Sequence, residues 1–161
     1  MNVASDWSNF LVAETGAAAA LAGLIFVAVS INLSKILEYP GVAVRAAEAL
    51  ALLIGVLFVG TFGLVPNQSG KILGREFLAV GGLLWLMTVI FHGREFFRKK
   101  PWWWLALRVL LCQCATLSFC VAGISLILGG PTAMYWLIPG CVFCFLASTT
   151  SAWVLLIEIV R

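Results

Sequence analysis

Glu14-Thr15-Gly16-Ala17-Ala18-Ala19-Ala20-Leu21-Ala22-Gly23-Leu24-Ile25-Phe26-Val27-Ala28-Val29-Ser30-Ile31-Asn32 is long and apolar enough to cross a bilayer as one helix. Wound at about 100° per residue, it places Gly16, Ala20, Gly23, Val27, Ser30 and Ser34 on one stripe, nearly all of it small. Glu14, Ala18, Leu21, Ile25 and Asn32 fall on the opposite stripe. Small side chains let two helix backbones approach closely in lipid. A carboxylate and an amide within a span need protein or water as partners. A helix with reasons to be covered on two faces is expected in the middle of a bundle or at a subunit interface. Its close-packing surface is then Gly16, Ala20 and Gly23.

Of the 161 residues, 63% are hydrophobic and 11% charged. Soluble domains average about 25% charged residues, so this chain lacks the material for a water-facing surface. The expectation is an integral membrane protein with nearly its whole length in or beside the bilayer and no separate soluble domain. A net charge of +3 gives no reason to expect nucleic acid as a partner. Met1 to Phe10 holds no Lys or Arg, and small residues at 16–20 open the apolar stretch where a cleavage site should follow it. The first span is therefore expected to be retained rather than removed as a signal. No lipidation signal is visible: Cys112 is the first cysteine, and the chain ends Glu158-Ile159-Val160-Arg161.

Working outward from the first span, the chain reads as an all-α bundle of five transmembrane helices, at about residues 10–37, 43–65, 75–96, 102–128 and 133–160. Lys35 and the turn Glu38-Tyr39-Pro40-Gly41 close the first, and Pro66-Asn67-Gln68-Ser69-Gly70 breaks the second. The third ends before Arg94-Glu95-Phe96-Phe97-Arg98-Lys99-Lys100-Pro101. Val109 to Ile157 carries no charge and is divided by Gly129-Gly130-Pro131. Four spans is the alternative, should the third prove short or re-entrant. Placing the N-terminus outside puts Lys35, Arg45, Arg94, Arg98, Lys99, Lys100, Arg108 and Arg161 on the cytoplasmic side and only Lys71 and Arg75 outside. That bias predicts an N-out, C-in topology. Trp102-Trp103-Trp104, and Trp7 at the other side, suit interfacial anchors.

Ionisable groups within spans are costly and usually partnered. The candidates are Glu14, Arg75 and Glu76 on one side and Asn32, Arg45, Glu48, His92, Arg108 and Glu158 on the other. Arg108 lies about 9 Å into its span and Glu158 at a broadly similar depth, so the geometry allows an Arg108–Glu158 pair, with Glu48 as a further member. Arg75 and Arg45 are the candidate neighbours of Glu14 and Asn32. Read functionally, such a cluster is a gate or ion-entry site; the structural reading, with Arg108 snorkelling to the headgroups, is preferred. His92, the one histidine, reads as an interfacial polar residue, because every cysteine lies deeper along its helix. No metal, cofactor or catalytic residue is expected. Ser148-Thr149-Thr150-Ser151 reads as helix packing before pore lining.

Cys141-Val142-Phe143-Cys144 is a C-x-x-C within a span, with no charged group expected near it. It resembles the redox pair of membrane disulfide-generating enzymes of the DsbB and vitamin K epoxide reductase types, which implies a thiol oxidoreductase working beside a quinone. The second cysteine pair of those enzymes is missing here. Buried thiols acting as small apolar residues are the preferred reading. The opening run 16–33 and Arg45-Ala46-Ala47-Glu48-Ala49-Leu50 resemble small multi-span bacterial membrane proteins. That resemblance implies a bacterial inner-membrane location and no particular activity. The expected function is therefore a non-catalytic membrane protein that forms a homo-oligomer or binds and regulates another membrane protein. An oligomeric channel with charged collars is the alternative, and a thiol oxidoreductase the third.

Overall fold

The computed structural model describes residues 5–38, 40–96 and 102–160, with residues 5, 40, 95–96, 102–104 and 154–160 as backbone only. The basic run Arg98-Lys99-Lys100 and Arg161 lie outside the described residues, and so do the side chains of Trp102, Trp103, Trp104 and Glu158. A 3-10 turn, Ser5–Trp7, leads into α1 (Ser8–Ile31), followed by α2 (Leu33–Glu38), α3 (Pro40–Gly63), α4 (Gly70–Phe96) and α5 (Trp102–Ile127). A second 3-10 turn, Ala133–Trp136, precedes α6 (Leu137–Val160). No strand occurs among the described residues. Five of these helices (all but α2) are long and apolar enough to cross a membrane.

Local chemistry sets the boundaries. The first helix does not run unbroken to residue 37. Asn32 turns its side chain back and donates from Nδ2 to the Ala28 carbonyl at 2.9 Å, which interrupts the helix between α1 and α2. Asparagine amides compete with the backbone in this way. Pro40 belongs to α3 as its first residue, where its missing N–H costs nothing. α4 begins at Gly70, earlier than the charge of Arg75 suggests, because Ser69 caps it: the Ser69 carbonyl accepts from Ile72 and Leu73, and its Oγ lies 3.4 Å from the Ile72 N–H. α5 ends in a Schellman arrangement around Gly129, which has φ 76°; the N–H of Gly130 reaches the Ser125 carbonyl at 2.8 Å and that of Gly129 the Leu126 carbonyl at 3.1 Å.

α3, not α1, is the central helix. It packs on α1, α4 and α6, while α4 and α5 form the most extensive pair and α5 also packs on α6. α1 lies at the edge, held mainly by α3. Glycines on α3 permit the close approaches: a methyl at Gly60 would collide with Thr15 Oγ1, one at Gly63 with Leu11, and one at Gly55 with Leu84. On the other side of the bundle α4 and α5 nearly touch backbone to backbone. A methyl at Gly74 would sit 2.7 Å from the Gly123 carbonyl oxygen, and one at Gly123 2.6 Å from that of Gly74. Phe77 and Phe119, both fully buried, fill the space beside this crossing. Trp7 meets Tyr135 edge-on at 4.9 Å and Phe10 at 5.6 Å, tying the start of α1 to the turn before α6. The outside of the bundle stays apolar, with Leu24, Ile31 and Leu83 each more than two-thirds exposed.

Gly16 and Gly23 have open space where a side chain would stand, and Ala20 is exposed. Among the described residues, nothing stands where side chains at Gly16 and Gly23 on the small stripe of α1 would project. Its opposite stripe turns inward, with Ala18 and Ile25 buried.

The contrast between closed and open glycines gives a prediction with opposite signs. Alanine exceeds glycine in helix propensity by about 1 kcal/mol, so Gly82→Ala, where a methyl meets nothing, should stabilise by up to about that much. Gly123→Ala should destabilise despite the same propensity gain, since overpacking costs typically about 1–3 kcal/mol. Unfolding of the two variants in detergent, followed by circular dichroism, checks the signs.

Candidate functional site

Each of the three inner helices carries a buried stripe that ends in a polar residue. On α3 it runs Val59, Val56, Leu52, Glu48; on α4, Phe77, Leu84, Thr88, His92. On α5 it runs Leu126, Ala122, Phe119, Ala115, Cys112, and Arg108 stands one turn beyond. These are spacings of three, four and seven residues, so each set lies on one helix face. The three stripes face one another. Their polar ends meet at the end of the bundle where α3 and α5 begin and α4 finishes.

Glu48 is the centre of the meeting, only 1% exposed. Its Oε2 accepts a hydrogen bond from Nε of Arg108 and forms an ion pair with the Nη2 of the same guanidinium. Its Oε1 lies 2.9 Å from Nε2 of His92 and accepts from the Cys112 thiol at 3.6 Å. One carboxylate thereby engages α4 through one oxygen and α5 through both. Next to it, Ser148 on α6 donates to the Ala49 carbonyl at 3.1 Å, fastening α6 to the same turn of α3. The neighbouring hydroxyls are occupied within their own helices: Thr88 donates to the Trp85 carbonyl, and Thr116 to that of Cys112 at 2.9 Å.

His92 was expected at an interface, too shallow for any cysteine. It is 6% exposed and shares Glu48 with Cys112. Measured along the axes, the Cα of His92 lies about 6 Å from the end of α4, while Glu48 and Cys112 lie about 12 and 15 Å from the starts of α3 and α5. The Cα–Cβ bonds close that gap, because every side chain leans toward its own helix N-terminus. Cys112 and Glu48 lean outward along the bundle and His92, on the antiparallel helix, leans inward. Both nitrogens of His92 lack a hydrogen-bond partner among the described residues, so Nε2 approaches Oε1 without aiming at it.

The other sequence candidates do not join this group. Of the expected Arg108, Glu158 and Glu48 grouping, Arg108 does meet Glu48, while the Glu158 side chain lies outside the described residues. Arg75 is exposed on α4, a helix that α1 scarcely meets, and Glu14 Oε2 is buried without a hydrogen-bond partner among the described residues. Asn32 satisfies its own helix and not Arg45, whose Nε is likewise buried and without a hydrogen-bond partner. Glu76 accepts from Gln68 at 2.6 Å, bracing the α3–α4 loop. All five cysteines are free. Cys141 and Cys144 are buried, at 3% and 0% exposure, and Glu14 lies near enough to act electrostatically on Cys141, contrary to the uncharged setting expected there. In the polar run of α6, Ser148 bonds across to α3 and Thr150 back-bonds to the Leu146 carbonyl at 2.8 Å. An apolar cavity of about 200 Å³ opens between α1, α3 and α6, lined by Leu21, Ile25, Asn32, Leu53, Ser148 and Thr149 among others.

No known family model matches this chain, and neither a curated protein nor a solved structure matches it.

Removing one member of a buried ion pair strands the other charge and costs about 3–5 kcal/mol, whereas replacing both with apolar residues is often neutral. Glu48→Leu and Arg108→Leu are each expected to destabilise by about that amount. The double variant should recover most of the loss. Denaturation in detergent of the two single variants and the double measures the coupling.

Proposed function

We propose that this chain is a multi-pass protein of a bacterial inner membrane, N-terminus outside and C-terminus cytoplasmic, that works without catalysis by assembling with a second copy of itself through α1. The observation that carries this reading is the open small stripe. Gly16, Ala20 and Gly23 stand on neighbouring turns of an apolar helix; no described residue lies where a side chain at Gly16 or Gly23 would stand, and Ala20 is exposed. Elsewhere, at Gly60, Gly74 and Gly123, the bundle uses glycine where another helix comes close. A glycine-rich face left uncovered in lipid suits a crossing with the same face of a partner across a two-fold axis. Membrane placement is supported by five helices of spanning length and by an outer surface that remains apolar. Orientation is supported by the bias of Lys and Arg toward the ends that carry residues 35–45 and 94–108.

The channel reading has less support, because Glu48 and Arg108 neutralise each other inside one bundle. A redox role for Cys141 and Cys144 has less as well, since a reactive thiolate sits in a partly exposed, electropositive setting and both thiols are buried.

Two measurements test the reading. Reporter fusions at Gly70, Lys100 and Gly130 should read outside, inside and outside; a reporter active outside at Lys100 overturns the topology. Gly23→Leu should abolish crosslinked dimers while leaving the thermal stability of the protomer unchanged. Ala18→Leu, on the buried stripe, should instead destabilise the protomer by about 1–3 kcal/mol through overpacking. A Gly23→Leu protein that still migrates as an oligomer by native mass, or a wild type that is monomeric, rules out assembly through this face.

A further inference from the structure

We propose that Oε1 of Glu48, Nε2 of His92 and Sγ of Cys112 form a binding site for one divalent transition-metal ion of zinc type. The three atoms come from three helices, lie within 4.8 Å of one another, and belong to residues that are all buried. Zinc binds nitrogen and oxygen at about 2.0–2.2 Å and sulfur at about 2.3 Å, so two ligand atoms on one tetrahedral ion stand roughly 3.3–3.6 Å apart. Here Oε1 and Sγ are 3.6 Å apart and Oε1 and Nε2 2.9 Å. Seating an ion requires Oε1 and Nε2 to part by roughly half an ångström, asks little of the thiol–carboxylate contact, and brings Nε2 and Sγ, now within 4.8 Å, to about 3.6 Å.

A second observation points the same way. His92 is a nearly fully buried imidazole whose two nitrogens make no well-aligned hydrogen bond among the described residues, although the Glu48 Oε1 stands 2.9 Å from Nε2. Burying such a group unsatisfied is costly. An ion beside Oε1 would give Nε2 the partner it lacks, with the ring proton carried on Nδ1. The donor set selects the class of ion: imidazole and thiolate suit zinc and its neighbours, whereas magnesium and calcium demand oxygen ligands.

The contacts leave room for the ion: Arg108 engages Oε2 and leaves Oε1 to it. When the ion binds, the Cys112 thiol gives up its proton, and metal, guanidinium, carboxylate and thiolate together carry one net positive charge. One proton leaves per ion bound. Three protein ligands leave the fourth tetrahedral position to water.

Cobalt(II) added to the full-length protein in detergent is the probe, because its coordination by thiolate gives a near-ultraviolet charge-transfer band. One equivalent per chain should produce that band, zinc should displace it, and calorimetry in buffers of different ionisation enthalpy should report one proton released. A protein that keeps Cys112 as its only cysteine should retain the band. Cys112→Ser should lose it, and His92→Gln should weaken cobalt binding by more than the about 10–100-fold that loss of an outer-shell partner costs. No band in the wild type, or a band that survives Cys112→Ser, overturns the proposal. Should Cys112→Ser aggregate, the protein with Cys112 alone decides: a band supports the site and its absence overturns it.

Discussion

A single carboxylate, buried to 1% exposure, sets the terms for the rest of this structure. Glu48 can exist where it does only because Arg108 comes to it from α5, and Arg108 reaches it only if α3 and α5 are correctly aligned. A shift of either helix by one turn would move one charge by about 5.4 Å and strand both. The pair fixes register rather than supplying net stability, since buried ion pairs rarely outperform apolar replacements. The glycines supply the attraction. Where Gly74 crosses Gly123, and where Gly60 admits Thr15, backbones come close enough for dispersion to act over long stretches.

The helical class and the number of long helices were legible from composition and from the charged and Pro-Gly interruptions. Which face of each helix points inward was not, and the reason is physical. In helices apolar all round, the hydrophobic pattern no longer separates core from surface. Gly16 and Gly23 look no different in sequence from Gly74 and Gly81, yet the first two are open and the second two are pressed against α5. The α1 stripe looked like the organising surface because it is dense in alanine. The helix that organises the bundle is α3, whose glycines are interspersed with bulky Leu52, Leu53 and Phe62.

The candidate site was half legible. Glu48 and Arg108 announced themselves as charges inside apolar runs, and their shared depth was read correctly enough to put both on one list. Pairing Arg108 with Glu158 rested on depth alone, and the Glu158 side chain lies outside the described residues. His92 and Cys112 were kept apart by counting Cα positions, when the lean of their side chains in antiparallel helices brings them to one oxygen of Glu48. A signal was present: His92 continues the buried stripe through Leu84 and Thr88, and Cys112 follows Arg108 by one turn. Asn32 offered none, because its use as a helix break depends on its own side chain turning back on Ala28.

The distance in sequence between Glu48 and Arg108, 60 residues, has a consequence for how the protein is made. Chains emerge from the ribosome at roughly 5–20 residues per second, so Glu48 is made roughly 3–12 s before the arginine that will answer its carboxylate. During that interval neither His92 nor Cys112 has been followed by its full complement of neighbours, and α1 offers Glu48 no cation. The growing chain must hold an unanswered acid in an apolar helix until α5, the fourth long helix, arrives. A pause or a truncation between residues 63 and 108 leaves that acid exposed, a ready mark for quality control to read.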